Sequence, residues 1–345
     1  MVKYTIQRIL LAFVTAAIIL TLTFLLMKQL PFYPAAGNDE AKAAFFADQV
    51  GIGNVLEFAL PQAKYGDPLW TYTDKTGHTH YYYLKPAIDQ FVIWVKGIFT
   101  EFNWGRSLYV FPNVDAMVLI RSRIGTTIMV NLPAVIISVP AGIGLGVWAA
   151  LKKNKLTDHI ISTVIMIFIS VPSFIMITLL LYTLSFNLGW LPATWPSESA
   201  SLEMRIRGFI LPTLALSFGS ICGYCRFTRA ELTEVMSSDF LLLARTKGLT
   251  RAQSITRHAM RNAMVPILPS ILAEIVGLLG GSMILEELYG VPGVGKLYVT
   301  AISLQDYNVL MADMALYTLI GLLSGVFLDL SYGFIDPRIR MGAKK

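Results

Sequence analysis

Charge is scarce in this chain. Asp, Glu, Lys and Arg make up only 14% of its 345 residues, against 55% hydrophobic residues, whereas a soluble globular protein carries roughly a quarter charged residues. Cysteine is nearly missing. Cys222 and Cys225 are the only two, so no disulfide framework is available to segments outside a membrane. The four histidines are scattered at 78, 80, 159 and 258, and the acids inside apolar runs are Glu274 and Asp329. No paired aspartate, Ser/His arrangement or H-E-x-x-H helix can be assembled from these, which excludes the usual intramembrane proteases and offers no resident metal.

Apolar runs are what the chain has in abundance. They cover about 9–27, 124–151, 160–186, 208–225, 264–285 and 314–334, and each approaches or exceeds the roughly 20 residues that cross a bilayer as a helix. The expected fold class is an all-α polytopic membrane protein with six spans. The first run lies between Arg8 and Lys28. It is longer than the roughly 7–15-residue core of a secretory signal, and no clear small-residue cleavage site comes after it, so it reads as a retained helix.

Lys and Arg set the orientation. With both termini inside, the cytoplasmic pieces hold 16 basic residues against five acidic ones, while the outer pieces hold 12 against 15. The net +6 is therefore a topological charge. It does not call for a nucleic-acid partner.

The chain divides accordingly into three parts: an N-terminal span over 1–30, an extracellular segment over 31–123, and a core of five spans over 124–345. In the outer segment, 41–60 reads as a weak helix. Trp70–Thr73 and His78–Tyr83 flank a Gly-containing turn and read as a β-hairpin. From Pro86 to Phe102, apolar residues recur at three- and four-residue steps, as in a helix lying at the outer interface.

The densest cationic stretch is the cytoplasmic loop 226–263. Ser238 is placed to cap a helix over Asp239–Lys247, Gly248 can end it in the left-handed conformation, and Thr250 with Gln253 makes a capping box for a second helix through about Ala263. The exposed basic face suits an acidic or dipole-bearing groove on a partner, and on charge alone anionic lipid headgroups suit it equally.

This stretch resembles a known family. Arg226-Phe227-Thr228-Arg229, Asp239-Phe240, Ala244 through Leu249, Arg257 through Ala263, and Pro266 are similar to the coupling loop of membrane subunits of oligopeptide and dipeptide ABC importers. Gly105-Arg106-Ser107, Glu286 through Gly295 and Asp336-Pro337-Arg338-Ile339-Arg340 match the same family in order. The likeness covers 1–30 and about 86–345, and leaves out the hairpin region near 60–85, which looks like an insertion.

The resemblance implies a type I importer permease in a bacterial plasma (inner) membrane, with six helices and both termini cytoplasmic. Its partners would be a homologous second permease, two ATPase subunits carrying ATP and Mg, an extracellular peptide-binding protein and a peptide substrate. The chain itself would carry no cofactor and catalyse nothing. Carried over by position, the coupling residues are Asp239, Ala244, Arg245, Lys247, Gly248, Leu249, Arg257 and Arg261. The wider superfamily opens this loop with Glu and two Ala, but here Leu242 and Leu243 stand at the first two of those places, so the acidic contact is missing. Nickel-complex importers share these motifs and form the alternative cargo class.

Other patterns have plainer readings. Gly290 through Lys296 fits a phosphate-binding loop up to its last position, where Leu297 replaces the required hydroxyl and the segment before it is a span rather than a strand. A re-entrant cover over the outer mouth explains it better. Cys222-Gly223-Tyr224-Cys225 reads as small buried side chains, and His78 with His80 lacks a third ligand. Glu274, mid-span, reads either as a pathway carboxylate or as a hydrogen-bonded tie between helices. Gly277, Gly280 and Gly281 would give width or close approach beside it. Asp329 is expected to pair with a basic residue such as Arg338.

Overall fold

The computed structural model describes residues 2–29 and 37–335. The Asp336-to-Arg340 motif, with Arg338, lies outside them. Helix α1 (Val2–Met27) is followed outside the membrane by α2 (Asp39–Ile52), started by the Asn38 side chain accepting from Ala41 N and stopped by Gly53 at φ 89°. The expected helix over 41–60 is thus shorter. After that left-handed residue, Val55 and Leu84 pair and the chain enters β1 (Val55–Phe58), a strand the local pattern did not announce.

The hairpin is present as β2 (Trp70–Thr73) and β3 (Thr79–Leu84). The sheet has the order β1-β3-β2, antiparallel throughout, with Thr73 opposite Thr79. Asp74 closes the turn by accepting from Thr76 N at 2.8 Å and His78 N at 2.9 Å. Phe46 of α2 stacks on Trp70 and Tyr82, giving this small layer its own core. Helix α3 (Ala87–Glu101) returns the chain to the membrane, with Phe91 and Trp94 against Phe24 of α1.

The rest is helical: α4 (Ala116–Leu151), α5 (Leu156–Ile169), α6 (Ser173–Leu180), α7 (Leu202–Met236), α8 (Asp239–Thr246), α9 (Arg251–Ser254), α10 (Met260–Gly277), α11 (Met283–Tyr289), α12 (Val294–Ser303) and α13 (Tyr307–Ile335). Among the described residues five helices are long and apolar enough to cross a membrane, and α5 with the α6 stretch through Asn187 makes a sixth span if that pair counts as one. The pair is bent by 98°, so the expected straight span over 160–186 is broken. Pro172 has no N–H to donate and disfavours helical geometry at the residue before it, and α5 ends just ahead of it, at Ile169. The fifth span also stops earlier than expected, at Gly280, because Gly281 sits at φ 64°.

Helices α4 and α7 form the central pair. A Cβ on Gly142 would meet Tyr224 Cβ at 2.6 Å, and one on Gly146 would meet Cys225 O at 2.6 Å. This Gly-x-x-x-Gly step brings the two backbones together. Cys222 and Cys225 are buried free thiols packed with Ile165 of α5.

Candidate functional site

The basic loop is built on a buried apolar patch. Leu241 and Ala244 of α8 face inward, and Leu241 joins Ala150, Leu232, Ile255, Ala259 and Ala263 from α4, α7 and the head of the fifth span. On the opposite side Phe240, Leu242 and Leu243 are exposed, and so are Asp239, Arg245 and Lys247. Gly248 adopts φ 90° and its N–H reaches Arg245 O at 3.0 Å, closing α8 as its sequence suggests. Leu249 is half-buried behind it. Ser238 stands at the N-cap, but its hydroxyl donates back to Val235 O rather than accepting from α8.

Thr250 and Gln253 form the capping box in both directions. The helix they start is not a separate short one. Arg251 through Gly280 runs as one span, with a wide turn over Ile255–Ala259. Arg257 and Arg261 are exposed along its first turns. Arg245, Lys247, Arg251, Arg257 and Arg261 form no ion pair among the described residues, so the loop presents apolar and cationic groups together. Ala244 is the exception among the expected contact residues, because it holds α8 in place instead of facing outward.

Beneath the loop lies a pair that sequence reasoning counts only as charges. Arg229 of α7 grips Asp158 of α5 through Nε at 2.5 Å and Nη2 at 2.8 Å, and Asn154 N donates to the same carboxylate at 2.9 Å. Asp158 is 1% exposed. A two-point guanidinium bond of this kind fixes direction as well as distance. Nothing local in the sequence signals a partner 71 residues away.

Glu274 sits on α10 and is tied to α7. Ser220 Oγ donates to it at 2.7 Å and Tyr224 OH donates to its other oxygen. It keeps partial exposure, with Gly277 open beside it. Gly280 and Gly281 serve elsewhere: Gly280 backs onto Tyr317, and Gly281 abuts the carboxylate of Glu286.

Glu286 organises the segment between the fifth and the last span. It is 1% exposed, accepts from Thr127 Oγ1 at 3.1 Å and from Lys296 N at 3.1 Å, and so satisfies a free N–H at the N-terminus of α12. Thr127 in turn accepts from Val294 N at 2.9 Å. Gly281 and Gly293 face this carboxylate so closely that a Cβ on either would collide with it, and a Cβ on Gly295 would strike the Met283 backbone beside it. The Gly/Pro-rich run 290–296 is therefore wrapped around a side chain of its own. Asp329 meets Arg8 of α1, Nη1 to Oδ2 at 3.1 Å, while Arg338, its expected partner, lies outside the described residues; α1 packs beside α13 and brings a cation from the far end of the chain.

Residues 142–341, which include the basic loop, Glu286, the end of α4 and the whole of α7, match the family described as binding-protein-dependent transport system inner membrane component. The chain belongs to that family. This permease is 33% identical to the dipeptide transport system permease protein DppB of Lactococcus lactis subsp. cremoris, over 99% of this chain and all of that one. It is 30% identical to the dipeptide transport system permease protein DppB of Bacillus subtilis over the whole of both. Its fold is that of solved ABC importer membrane subunits: the MetNI methionine ABC transporter in inward-facing conformations aligns with a TM-score of 0.50 at 16% identity, over 64% of this permease and 97% of that chain. The permease is a multi-pass component of an inner membrane, working with ATPase and substrate-binding partners.

Proposed function

We propose that the chain is one of two permease halves of an ATP-driven peptide importer, and that it passes the ATPase stroke to the membrane through α8. The observation that carries this is the two-sided build of α8: Leu241 and Ala244 are locked onto the membrane helices, while Phe240, Leu242, Leu243, Arg245 and Lys247 are left free for a groove on a partner. Leu242 and Leu243 make that contact apolar where the wider superfamily has an acid. Arg257 and Arg261 extend the cationic rim.

Peptide as cargo is supported by the two dipeptide permeases that match over nearly the full length. In this reading ATP and its Mg are held by two partner chains, an extracellular binding protein delivers peptide, and a second permease completes the pathway lined here by Glu274 and Gly277. Gly281 leaves that set, since it packs on Glu286. A ligand shifts a conformational equilibrium only through differential contact, so ATP acts on this chain through whatever α8 touches in each state. The Arg8–Asp329 ion pair supports placing both chain ends on one side, and the basic residues make that side cytoplasmic.

The test is uptake in a strain lacking this permease, re-supplied with it, comparing labelled dipeptide, pentapeptide and nickel, with the ATPases that co-purify identified alongside. Dipeptide uptake that needs the ATPases supports the reading. Nickel uptake alone, or transport by the isolated chain, overturns it.

A further inference from the structure

The outer end of α1 opens into a cavity of about 380 Å³, within the range of roughly 300–1,000 Å³ that small-molecule sites occupy. It lies between α1, the turn after α2, α3 and the Gly105 loop, and Lys28, Asn54, Gln90, Trp94, Lys96 and Asn308 line it. Two of its polar groups are incompletely matched. Lys28 donates to Asn54 Oδ1 at 3.3 Å and lies 5.3 Å from the Phe24 ring centre, but it forms no ion pair among the described residues. Burial lowers its pKa to about 8, the response of a cation that loses water without gaining an anion.

The connecting residues 30–36 contain no acid. Glu101 also lines the cavity and pairs with neither lysine. The second group is Gln90, 3% exposed: its Nε2 donates to Lys85 O at 2.7 Å, while Oε1 has no donor.

The surroundings are apolar surface of the kind that faces lipid. Ile88, Val92 and Phe99 are exposed on α3, and Leu22 and Leu26 are exposed on the neighbouring α1. A helix with one face packed and one apolar face open, at the end of a span, lies in the interfacial zone. Phosphates of lipids sit at that depth.

We propose that this cavity holds the headgroup of an anionic phospholipid, with its phosphate on Lys28 and Lys96, a headgroup hydroxyl donating to Gln90 Oε1, and the acyl chains lying over the apolar surface of α1 and α3. Assignment to the outer leaflet rests on the orientation proposed above. Headgroup binding itself is read from the cavity and does not depend on cargo or coupling.

The test uses the assembled transporter, extracted in detergent and exchanged into nanodiscs containing phosphatidylglycerol and phosphatidylcholine. Lipid retained after washing is measured by native mass spectrometry, with thermal unfolding followed in parallel. The wild type and the Lys28→Arg variant are expected to retain phosphatidylglycerol in preference to phosphatidylcholine. So is Lys42→Gln, whose lysine lies outside the cavity. Lys28→Gln is expected to lose about tenfold in retention without a matching fall in melting temperature, and Lys96→Gln to lose part of it. Equal retention by Lys28→Gln and wild type, or equal retention of the two lipids, overturns the proposal. Displacement of the lipid by inorganic phosphate at millimolar concentration overturns it too, since free phosphate would then be the ligand. If Lys28→Gln does not assemble, Lys96→Gln decides: unchanged retention counts against the site.

Discussion

Ser107 Oγ donates to Asp306 Oδ2 at 2.6 Å, across 199 residues of sequence. The same oxygen accepts from the backbone N–H groups of Leu108 at 2.9 Å, Tyr109 at 3.0 Å and Val110 at 3.1 Å. Asp306 is fully buried and stands just before α13, where its other oxygen faces Val309 N. The stretch Ser107 to Val110, directly after Gly105-Arg106, thus forms a cup of donors around a carboxylate at the start of the last span. Asn308 closes it by donating to Arg106 O at 2.8 Å.

Asp306→Ala should lower stability by about 3–5 kcal/mol, because several donors are left buried without their charged acceptor. Ser107→Ala removes one donor and should cost about 1–2 kcal/mol. Thermal unfolding of the purified transporter measures both. An unchanged melting temperature for Asp306→Ala would show that the cup does not hold the N-terminal ends of α4 and α13 together.

Gly248 occupies φ 90° with nothing within 4 Å of a Cβ position, so the constraint there is backbone conformation rather than space. Gly248→Val should strain the turn by roughly 1–2 kcal/mol and tilt α8 away from its outward pose. Membrane insertion is expected to persist while ATP hydrolysis becomes uncoupled from uptake. Normal uptake by this variant would argue against docking through α8.

Glu274→Gln replaces an acceptor of two hydroxyl donors with a group that has one acceptor oxygen. Uptake of labelled dipeptide should fall several-fold while co-purification with partner chains holds. If uptake over a panel of peptides matches wild type, Glu274 only ties α10 to α7 through Ser220 and Tyr224.

Gly293→Ala drives a methyl group into Glu286 and Thr127 and should cost about 1–3 kcal/mol, the usual range for overpacking. Cleavage by an external protease between α11 and α12 should become faster. Protection equal to wild type would mean that the mouth tolerates a looser fit than the distances suggest.

His80 meets Glu57 through Nδ1 at 2.5 Å and lies 3.6 Å from Asp74, and the hydrogen bond to Glu57, then the nearby Asp74 carboxylate, raises its pKa above the usual imidazole value. A raised folded-state pKa gives stability that is complete below the unfolded value, about 6.5, and disappears as pH rises through the folded one. The sheet should therefore loosen as pH climbs above about 6.5, read as faster proteolysis within 70–84. His80→Gln should remove that dependence, and a wild-type rate that is flat with pH would refute the linkage.

Much of the basic loop was legible because its signals are local. Gly248 ends α8 by its own conformation, and Thr250 and Gln253 sit three residues apart within one turn. The hairpin at Asp74–Gly77 was legible for the same reason. The break at Pro172 was written in the residue itself, although hydropathy runs straight through it. The Gly142–Gly146 spacing is also a small-residue packing signal, but it is hard to single out among so many apolar residues. Strand β1 carries too short and mixed a pattern to stand apart from the end of α2.

Composition and charge order alone determined that this is a membrane-spanning helical protein with a cationic loop on one side, since hydropathy and Lys/Arg bias act through the solvent and need no knowledge of neighbours. Only the tertiary structure decided which carboxylate serves which end: Asp306 for the Ser107 cup, Glu286 for the α12 terminus, Asp158 for Arg229 and Asp329 for Arg8. Each of these bonds joins an acid to a donor on another segment, and a buried charge takes whichever donors the packing of the helices brings within reach.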